Sequence, residues 1–427
     1  MTSPSLPLSP RALAAAVLRR VLVDDAFAAA ALAADLDRHV QLSPRDRAAA
    51  TDLVYGALRA SRYLDGRLSR LSPGLALDPP LRALLWVAGY ELAFRPMAPP
   101  HVVVSDAVEV SKSIQRRASG LVNALLRKLI DDLSTSPAPP LAKAFVAGTP
   151  RWLRRALDRS LGPGEAERFL AAGPLPPPLC LRVRCGDRSS WVERLRDEHP
   201  GGTFEESPLV PSAIRCSGGG DPRRWSGVRE GALVVQEEGS QFIGQALAVL
   251  PGERVLDACA GRGNKTLLLA DALGGSGRVD AADLHGPKLE RLRNETERLG
   301  AAVGSTFEID ASVGRGAIEA GAYDRVLLDA PCSGVGTLRR RPEIILRRAE
   351  ASLVELQTLQ RAIVKNIAPT VKPGGRLLYA VCSVLREECE EVIDGLEGFE
   401  VEQVRRLLPH REGCDGYAFA MLRVKGG

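Results

Sequence analysis

Two cysteines stand where a chain can do thiol chemistry. Cys332 lies in Asp329-Ala330-Pro331-Cys332-Ser333-Gly334, directly after the apolar run Tyr323–Leu328. That run reads as a buried strand ended by Pro331. Cys382 follows a second run of this kind, Gly375–Val381, and it too is followed by a serine, Ser383. In an open α/β sheet the ligand crevice lies at the carboxyl ends of the strands. Two strand-end thiols in one domain, each beside a hydroxyl and one of them close to a carboxylate, point to thiol chemistry rather than packing.

Thiols at strand ends need a sheet to hold them. From Gln236 onward strand and helix patterns alternate, with strands expected at Arg254–Cys259, Arg278–Asp283, Ser305–Ile309, Asp324–Leu328, Arg376–Val381 and Tyr417–Arg423. The clearest helix is Ala349–Ile367. Such alternation predicts a mostly parallel sheet covered on both faces. The first strand runs into Leu256-Asp257-Ala258-Cys259-Ala260-Gly261-Arg262-Gly263-Asn264-Lys265-Thr266. A glycine-rich turn between a first strand and its helix lets backbone approach a ligand closely. The spacing is neither G-x-G-x-x-G nor a P-loop, so the turn alone indicates a nucleotide-like cofactor. Asp283 ends the second strand and can accept hydrogen bonds from ribose hydroxyls. Asp310 ends the third, in reach of an adenine edge. A lone strand-end Asp is as readily a loop or capping residue; Asp257, Asp283 and Asp310 at three successive strand ends favour a ligand site.

The rest of the chain divides by pattern. Residues 10–133 read as helices throughout, with Ser43-Pro44 as a helix start, and form one all-α bundle, taken as a domain at 10–135. Ser134–Pro140 is a linker by composition. Residues 141–235 read as a small α/β module, with a strand pattern at Leu179–Arg184, a short helix at Ser190–Glu198 and a loop at Gly218–Gly220. The sheet domain is 236–427. Composition, 45% hydrophobic and 26% charged, is that of a globular protein. No apolar run reaches the about 20 residues a membrane span needs. Met1–Pro10, with three prolines and no basic residue, does not read as a signal peptide. The eight cysteines contain no C-x2-C pair and the five histidines form no cluster, so no metal site is expected, and reduced thiols in the cytoplasm are. Residues 1–135 carry 17 basic against 13 acidic side chains, four of the five net positive charges, which fits an anionic partner for the bundle.

These motifs together resemble the Sun family of RNA cytosine-5 methyltransferases, specifically the RsmB-type bacterial ribosomal RNA enzymes. The matching stretches are Leu256–Thr266, Asp283, Asp310, Asp329–Gly334, Tyr379–Ser383, Gln236-Glu237-Glu238-Gly239-Ser240-Gln241 and Gly413-Cys414-Asp415-Gly416-Tyr417. Val54-Tyr55-Gly56 and Asn123-Ala124-Leu125-Leu126-Arg127 are similar to the NusB RNA-binding fold that such enzymes carry. The resemblance implies a Rossmann-like S-adenosylmethionine methyltransferase domain preceded by a NusB-like bundle and the small α/β module. It implies Cys382 as nucleophile, Cys332 as the thiol that assists release, and Asp329 at ring nitrogen 3 of cytosine. The implied cofactor contacts are Cys259, Ala260, Gly261, Arg262, Gly263, Asn264, Lys265, Asp283, Asp310 and Asp329, with Cys259 acting through backbone. The implied partner is RNA, ribosomal RNA first, for a monomer with no membrane and no metal. The chemistry requires the thiols: carbon 5 of cytosine is a poor nucleophile until a thiolate adds to carbon 6. The family's A-P-G-G-K-T appears here as Ala260-Gly261-Arg262-Gly263-Asn264-Lys265-Thr266, its T-C-S as Val381-Cys382-Ser383, and its E-E-N-E as Glu387-Glu388-Cys389-Glu390. Alternatives are the same reaction on transfer RNA and an RNA-binding assembly factor that no longer turns over. A DNA cytosine methyltransferase would leave the second cysteine unexplained. The basic run Leu338-Arg339-Arg340-Arg341 with Arg347-Arg348 is either a solvated face or a phosphate contact. Cys180, Cys185, Cys216, Cys389 and Cys414 read as structural.

Overall fold

The structure, a computed structural model, describes residues 9–95 and 97–425. The reading of the first residues as no signal peptide therefore lies, for residues 1–8, outside the described residues. Packing separates two compact units. One comprises the residues up to Arg154 with Gly164–Leu175 and Leu338–Arg347; the other comprises Arg155–Pro163, Pro176–Thr337 and the chain from Arg348.

The first unit is helical, as the three- and four-residue apolar spacing requires. Its long helix Pro44–Leu71 begins as expected. Ser43 Oγ accepts from the Asp46 amide at 3.1 Å, and Pro44 occupies the first turn, where a missing N–H does no harm. The core is aliphatic, with Leu58, Leu64, Leu84, Leu85 and Leu126 among its buried members. The segment Leu338–Arg347 folds into this unit, and part of the basic run meets protein, while Arg341 is exposed. Arg339 is buried, its Nε donating to the Leu175 carbonyl at 3.4 Å and its own carbonyl accepting from Arg59 at 2.9 Å. Phe27 is faced by the guanidinium groups of Arg341, 5.5 Å away, and Arg347, 5.1 Å away. The buried Glu343 accepts from the Ala28 amide at 3.1 Å. These arginines cap helix ends and cover an aromatic ring.

The second unit holds two sheets. The smaller is antiparallel, β1 (Leu179–Val183), β2 (Gly202–Glu206), β3 (Ala213–Gly218) and β4 (Leu233–Val235), in the order β2-β3-β1-β4. Only β1 was legible beforehand. The larger comprises β5 (Arg254–Asp257), β6 (Arg278–Asp283), β7 (Val303–Glu308), β8 (Tyr323–Asp329), β9 (Val371–Val381), β10 (Phe399–Leu407) and β11 (Tyr417–Val424), in the order β10-β11-β9-β8-β5-β6-β7. β5 to β9 are parallel, and β10 and β11 are antiparallel additions. Alternate residues of each strand face opposite layers. Val326, Leu328 and Tyr379 pack on the side of the helix Glu350–Ile367, while Leu327, Leu378 and Phe419 pack on the other. Burial on both faces is what makes these strands continuously apolar.

Packing groups the chain differently from the three-part reading of 10–135, 141–235 and 236–427. Residues 141–154 and 164–175 belong to the helical unit, and the small sheet shares a unit with the large one. The two sheets are joined by charge: Arg182 and Arg184 both reach the Asp271 carboxylate, at 2.6 and 2.8 Å. Gln236 accepts from Arg182 at 2.9 Å, and Gln241 donates to the Leu181 carbonyl at 3.3 Å. In the same motif Glu237 Oε1 accepts from the Asp415 amide at 2.9 Å, so Gln236–Gln241 ties β1 to the segment that leads into β11. Among the described residues no helix is long and apolar enough to cross a membrane.

Candidate active site

Chain order from β5 runs outward through β6 and β7, then returns to place β8 on the other side of β5. The crevice at such a switch point opens beyond the strand carboxyl ends. A cleft of about 300 Å³ occupies it. After β5 the chain turns sharply. The Ala258 amide donates to the Leu327 carbonyl of β8, and the Ala260 amide to the Ala282 carbonyl of β6, both at 2.8 Å. Gly263 then takes φ +88° as the cap of the helix Asn264–Leu273, and a Cβ there would lie 2.6 Å from Leu292 Cγ.

Of the ten cofactor contacts the resemblance implies, Cys259, Gly261, Asp283, Asp310 and Asp329 line the cleft. Ala260, Arg262, Gly263, Asn264 and Lys265 do not; Arg262 and Asn264 are exposed. Asp283 is buried, and its carboxylate braces the turn. Oδ2 accepts from the Gly261 amide and Oδ1 from the His285 amide, each at 2.9 Å, with Lys288 Nζ at 3.4 Å from Oδ1. Asp310 is exposed, and hydrogen bonds from the Ser312 hydroxyl and amide hold its carboxyl below the usual aspartate value. Asp257 is buried; Oδ2 accepts from the Thr266 hydroxyl at 2.7 Å, while Oδ1 has no partner among the described residues. Burial pushes its pKa up to about 6. Sequence reading missed the apolar wall: Leu284, Ile309, Leu359 and Ile363 also line the cleft. The i,i+4 spacing of Leu359 and Ile363 on one helix was the available sign.

Lys265 leaves the turn for the end of β8. Its ammonium lies 2.6 Å from Asp329 Oδ2, both groups mostly buried. Burial pulls its pKa down, but the Asp329 charge and hydrogen bond outweigh that and hold it above the ordinary lysine value. Beyond Asp329 the two thiols meet. Cys332 Sγ and Cys382 Sγ are 3.3 Å apart, and none of the eight cysteines forms a disulfide. β8 and β9 are hydrogen-bonded neighbours, Asp329 opposite Ala380, so the loops that follow them emerge side by side. They interlock through backbone: the Gly336 amide donates to the Cys382 carbonyl at 3.0 Å, and its carbonyl accepts from the Gly416 amide at 2.8 Å. A Cβ on Gly336 would lie 1.9 Å from the Gly416 oxygen, so only glycine fits this crossing. The Cys332 thiol is held well above its ordinary pKa, first by its bond to Cys382, then by burial and by the charges of Cys382 and Glu388.

Residues 244–423 match the family described as 16S rRNA methyltransferase RsmB/F, and residues 8–131 match the NusB family. The ribosomal RNA small subunit methyltransferase B of Pseudomonas putida is 32% identical, covering 97% of this chain and 98% of that one. The chain belongs to the RsmB-type (Sun) methyltransferase family. The namesake from Pseudomonas syringae pv. tomato is 33% identical over 97% of both chains. The crystal structure of PH0851 superposes with a TM-score of 0.82 at 26% identity, covering 99% of this chain and 100% of that one. As an RsmB-type protein, the chain is an S-adenosylmethionine-dependent methyltransferase of mixed α/β fold with a NusB domain. Its cleft fits that cofactor. Three carboxylates suit a cation bearing hydroxyls, the apolar wall suits a flat ring, and Gly261 (φ +57°) has open space where a side chain would stand. Among the described residues no group of three or more His, Cys, Asp or Glu is placed to hold a metal ion.

Proposed function

We propose that this chain forms 5-methylcytosine in 16S ribosomal RNA through a covalent Cys382–cytosine adduct. The observation that carries the reading is the pair of thiols 3.3 Å apart, next to the Lys265–Asp329 ion pair and one residue beyond the end of the cofactor cleft. The names of the curated relatives supply the ribosomal RNA. Bound S-adenosylmethionine supplies the electrophilic methyl group.

Asp329 hands the proton it shares with Lys265 to ring nitrogen 3 of an unpaired or flipped-out cytosine as the ring is attacked, and takes it back at release; a base inside a helix does not present that nitrogen. The Cys382 thiolate bonds to carbon 6, making carbon 5 electron-rich enough to take the methyl group. Carbon 5 then gives up its proton, which replaces on the Cys332 sulfur the proton that Cys332 hands to Cys382. The electrons of that C–H bond restore the ring double bond, and the bond from carbon 6 to sulfur breaks. Cys332, kept protonated beside Cys382, supplies the proton that the departing thiolate takes up. Asp283 and Gly261 bind the ribose side of the cofactor, with Asp310 at the base. The helical unit supplies RNA affinity, and the enzyme works in the cytoplasm.

Incubating the protein with 16S ribosomal RNA and S-adenosylmethionine, followed by bisulfite sequencing, should show one protected cytosine. Protection of transfer RNA alone moves the substrate, and protection of neither RNA overturns the reading. Asp283→Ala should weaken S-adenosylmethionine binding about 10- to 100-fold by calorimetry. It removes ribose hydrogen bonds worth roughly 0.5–1.5 kcal/mol each and strands the two turn amides that the carboxylate now accepts. Wild-type affinity in that variant would remove Asp283 from the site.

A further inference from the structure

The loop carrying Cys332 is held by a carboxylate that the chemistry above does not use. Glu388 lies in the turn Arg386–Glu388 and is fully buried. Its Oε1 accepts from the Ser333 amide at 2.7 Å and from Gln360 Nε2 at 3.2 Å; its Oε2 accepts from the Ser333 hydroxyl at 2.5 Å. Gln360 Nε2 also donates to the Pro331 carbonyl at 2.9 Å. Both neighbours of Cys332 are therefore fixed from outside the loop, Ser333 by Glu388 and Pro331 by the amide that Glu388 orients. The turn is itself anchored. The Tyr379 hydroxyl donates to the Glu388 carbonyl at 2.8 Å, Ser160 Oγ accepts from the Arg386 amide at 2.9 Å, and Glu387 points outward to Arg159 at 2.6 Å. Among the described residues no ion pair involves Glu388. A carboxylate buried without a cation is costly unless its hydrogen bonds are well met, and here they converge on one catalytic loop.

We infer that Glu388 is the positioning residue for Cys332: it sets the Pro331–Ser333 segment so that the release thiol stays within reach of Cys382. This rests on the reading of Cys332 as the release thiol. The Glu388 charge also adds to the influences that keep Cys332 protonated, the form that release requires.

The test uses full-length Glu388→Ala and Glu388→Gln beside Cys332→Ala. Glutamine keeps an oxygen for the Ser333 amide and Gln360, and its amide donates to the Ser333 hydroxyl, so the frame persists. With Glu388→Ala, turnover should fall at least tenfold and a protein–RNA adduct should accumulate on denaturing gels, while S-adenosylmethionine affinity by calorimetry stays within about twofold of wild type. Glu388→Gln should recover turnover to within about threefold and leave no adduct. Wild-type turnover in Glu388→Ala, or an adduct in Glu388→Gln as abundant as in Glu388→Ala, overturns the inference. Should Glu388→Ala fail to bind S-adenosylmethionine, Gln360→Ala decides, since it withdraws only the strut to Pro331: it must trap adduct, and wild-type turnover without adduct overturns the inference. An adduct in Cys332→Ala but not in these variants removes Glu388 alone. No adduct in Cys332→Ala removes the reading beneath it.

Discussion

Cys382→Ala should abolish methyl transfer and form no covalent RNA complex, whereas Cys332→Ala should trap one. The first variant lacks the attacking sulfur, and turnover should fall at least ~10³-fold, as for loss of a nucleophile in other covalent enzymes. The second keeps the attacking sulfur and loses the neighbour 3.3 Å away. Attack and methyl transfer proceed, but the bond to carbon 6 persists. A turnover assay cannot separate the two, because both variants fail. Denaturing electrophoresis with labelled RNA and S-adenosylmethionine separates them. Retention of RNA by Cys382→Ala and not by Cys332→Ala would reverse the roles. Full turnover in both would remove thiol chemistry altogether.

Asp329→Ala should damage stability and activity through different groups. The substitution strands the Lys265 ammonium, whose side chain is 11% exposed. Breaking a buried pair in this way costs about 3–5 kcal/mol, and with Asp329 27% exposed roughly 2–4 kcal/mol is expected from urea unfolding. The pH sign follows from Lys265, whose pKa is raised in the folded state. Its stabilising contribution is complete below the unfolded lysine value near 10.4 and is lost as pH rises through the higher folded value. The wild type should therefore lose stability in that alkaline window, and Asp329→Ala should lose less. Turnover should fall about 10²–10⁴-fold for want of the group at ring nitrogen 3. The double variant Asp329→Asn with Lys265→Met separates the effects, because removing both charges of a buried pair is far milder than removing one. It should regain most of the stability and none of the turnover. Recovery of turnover would make the pair structural.

The sequence by itself determined what local pattern can carry. Apolar runs ending in Asp283, Asp329 and Cys382 are strands because strands buried on both faces are continuously apolar, and each of these ends fell within a residue of its expected place. Residue types at those ends limited the chemistry to thiols beside a cofactor cleft. Pattern failed where strands are half exposed. Phe399–Leu407 is studded with charges and was missed, as were β2, β3 and β4, whose residues meet solvent on one side or are too few to show a period. Only the tertiary structure decided pairings between distant residues, because strand order in a parallel sheet is set by packing across crossovers rather than by neighbours in sequence. It placed β8 beside β9 and so brought two sulfurs fifty residues apart into contact. It turned Lys265 from the cofactor turn to Asp329 and folded the arginines of Leu338–Arg347 into the helical unit. Glu387 and Glu388 look alike in sequence. A one-turn helix points them opposite ways, one to Arg159 and one beneath Ser333, and only the second reaches the loop that carries Cys332.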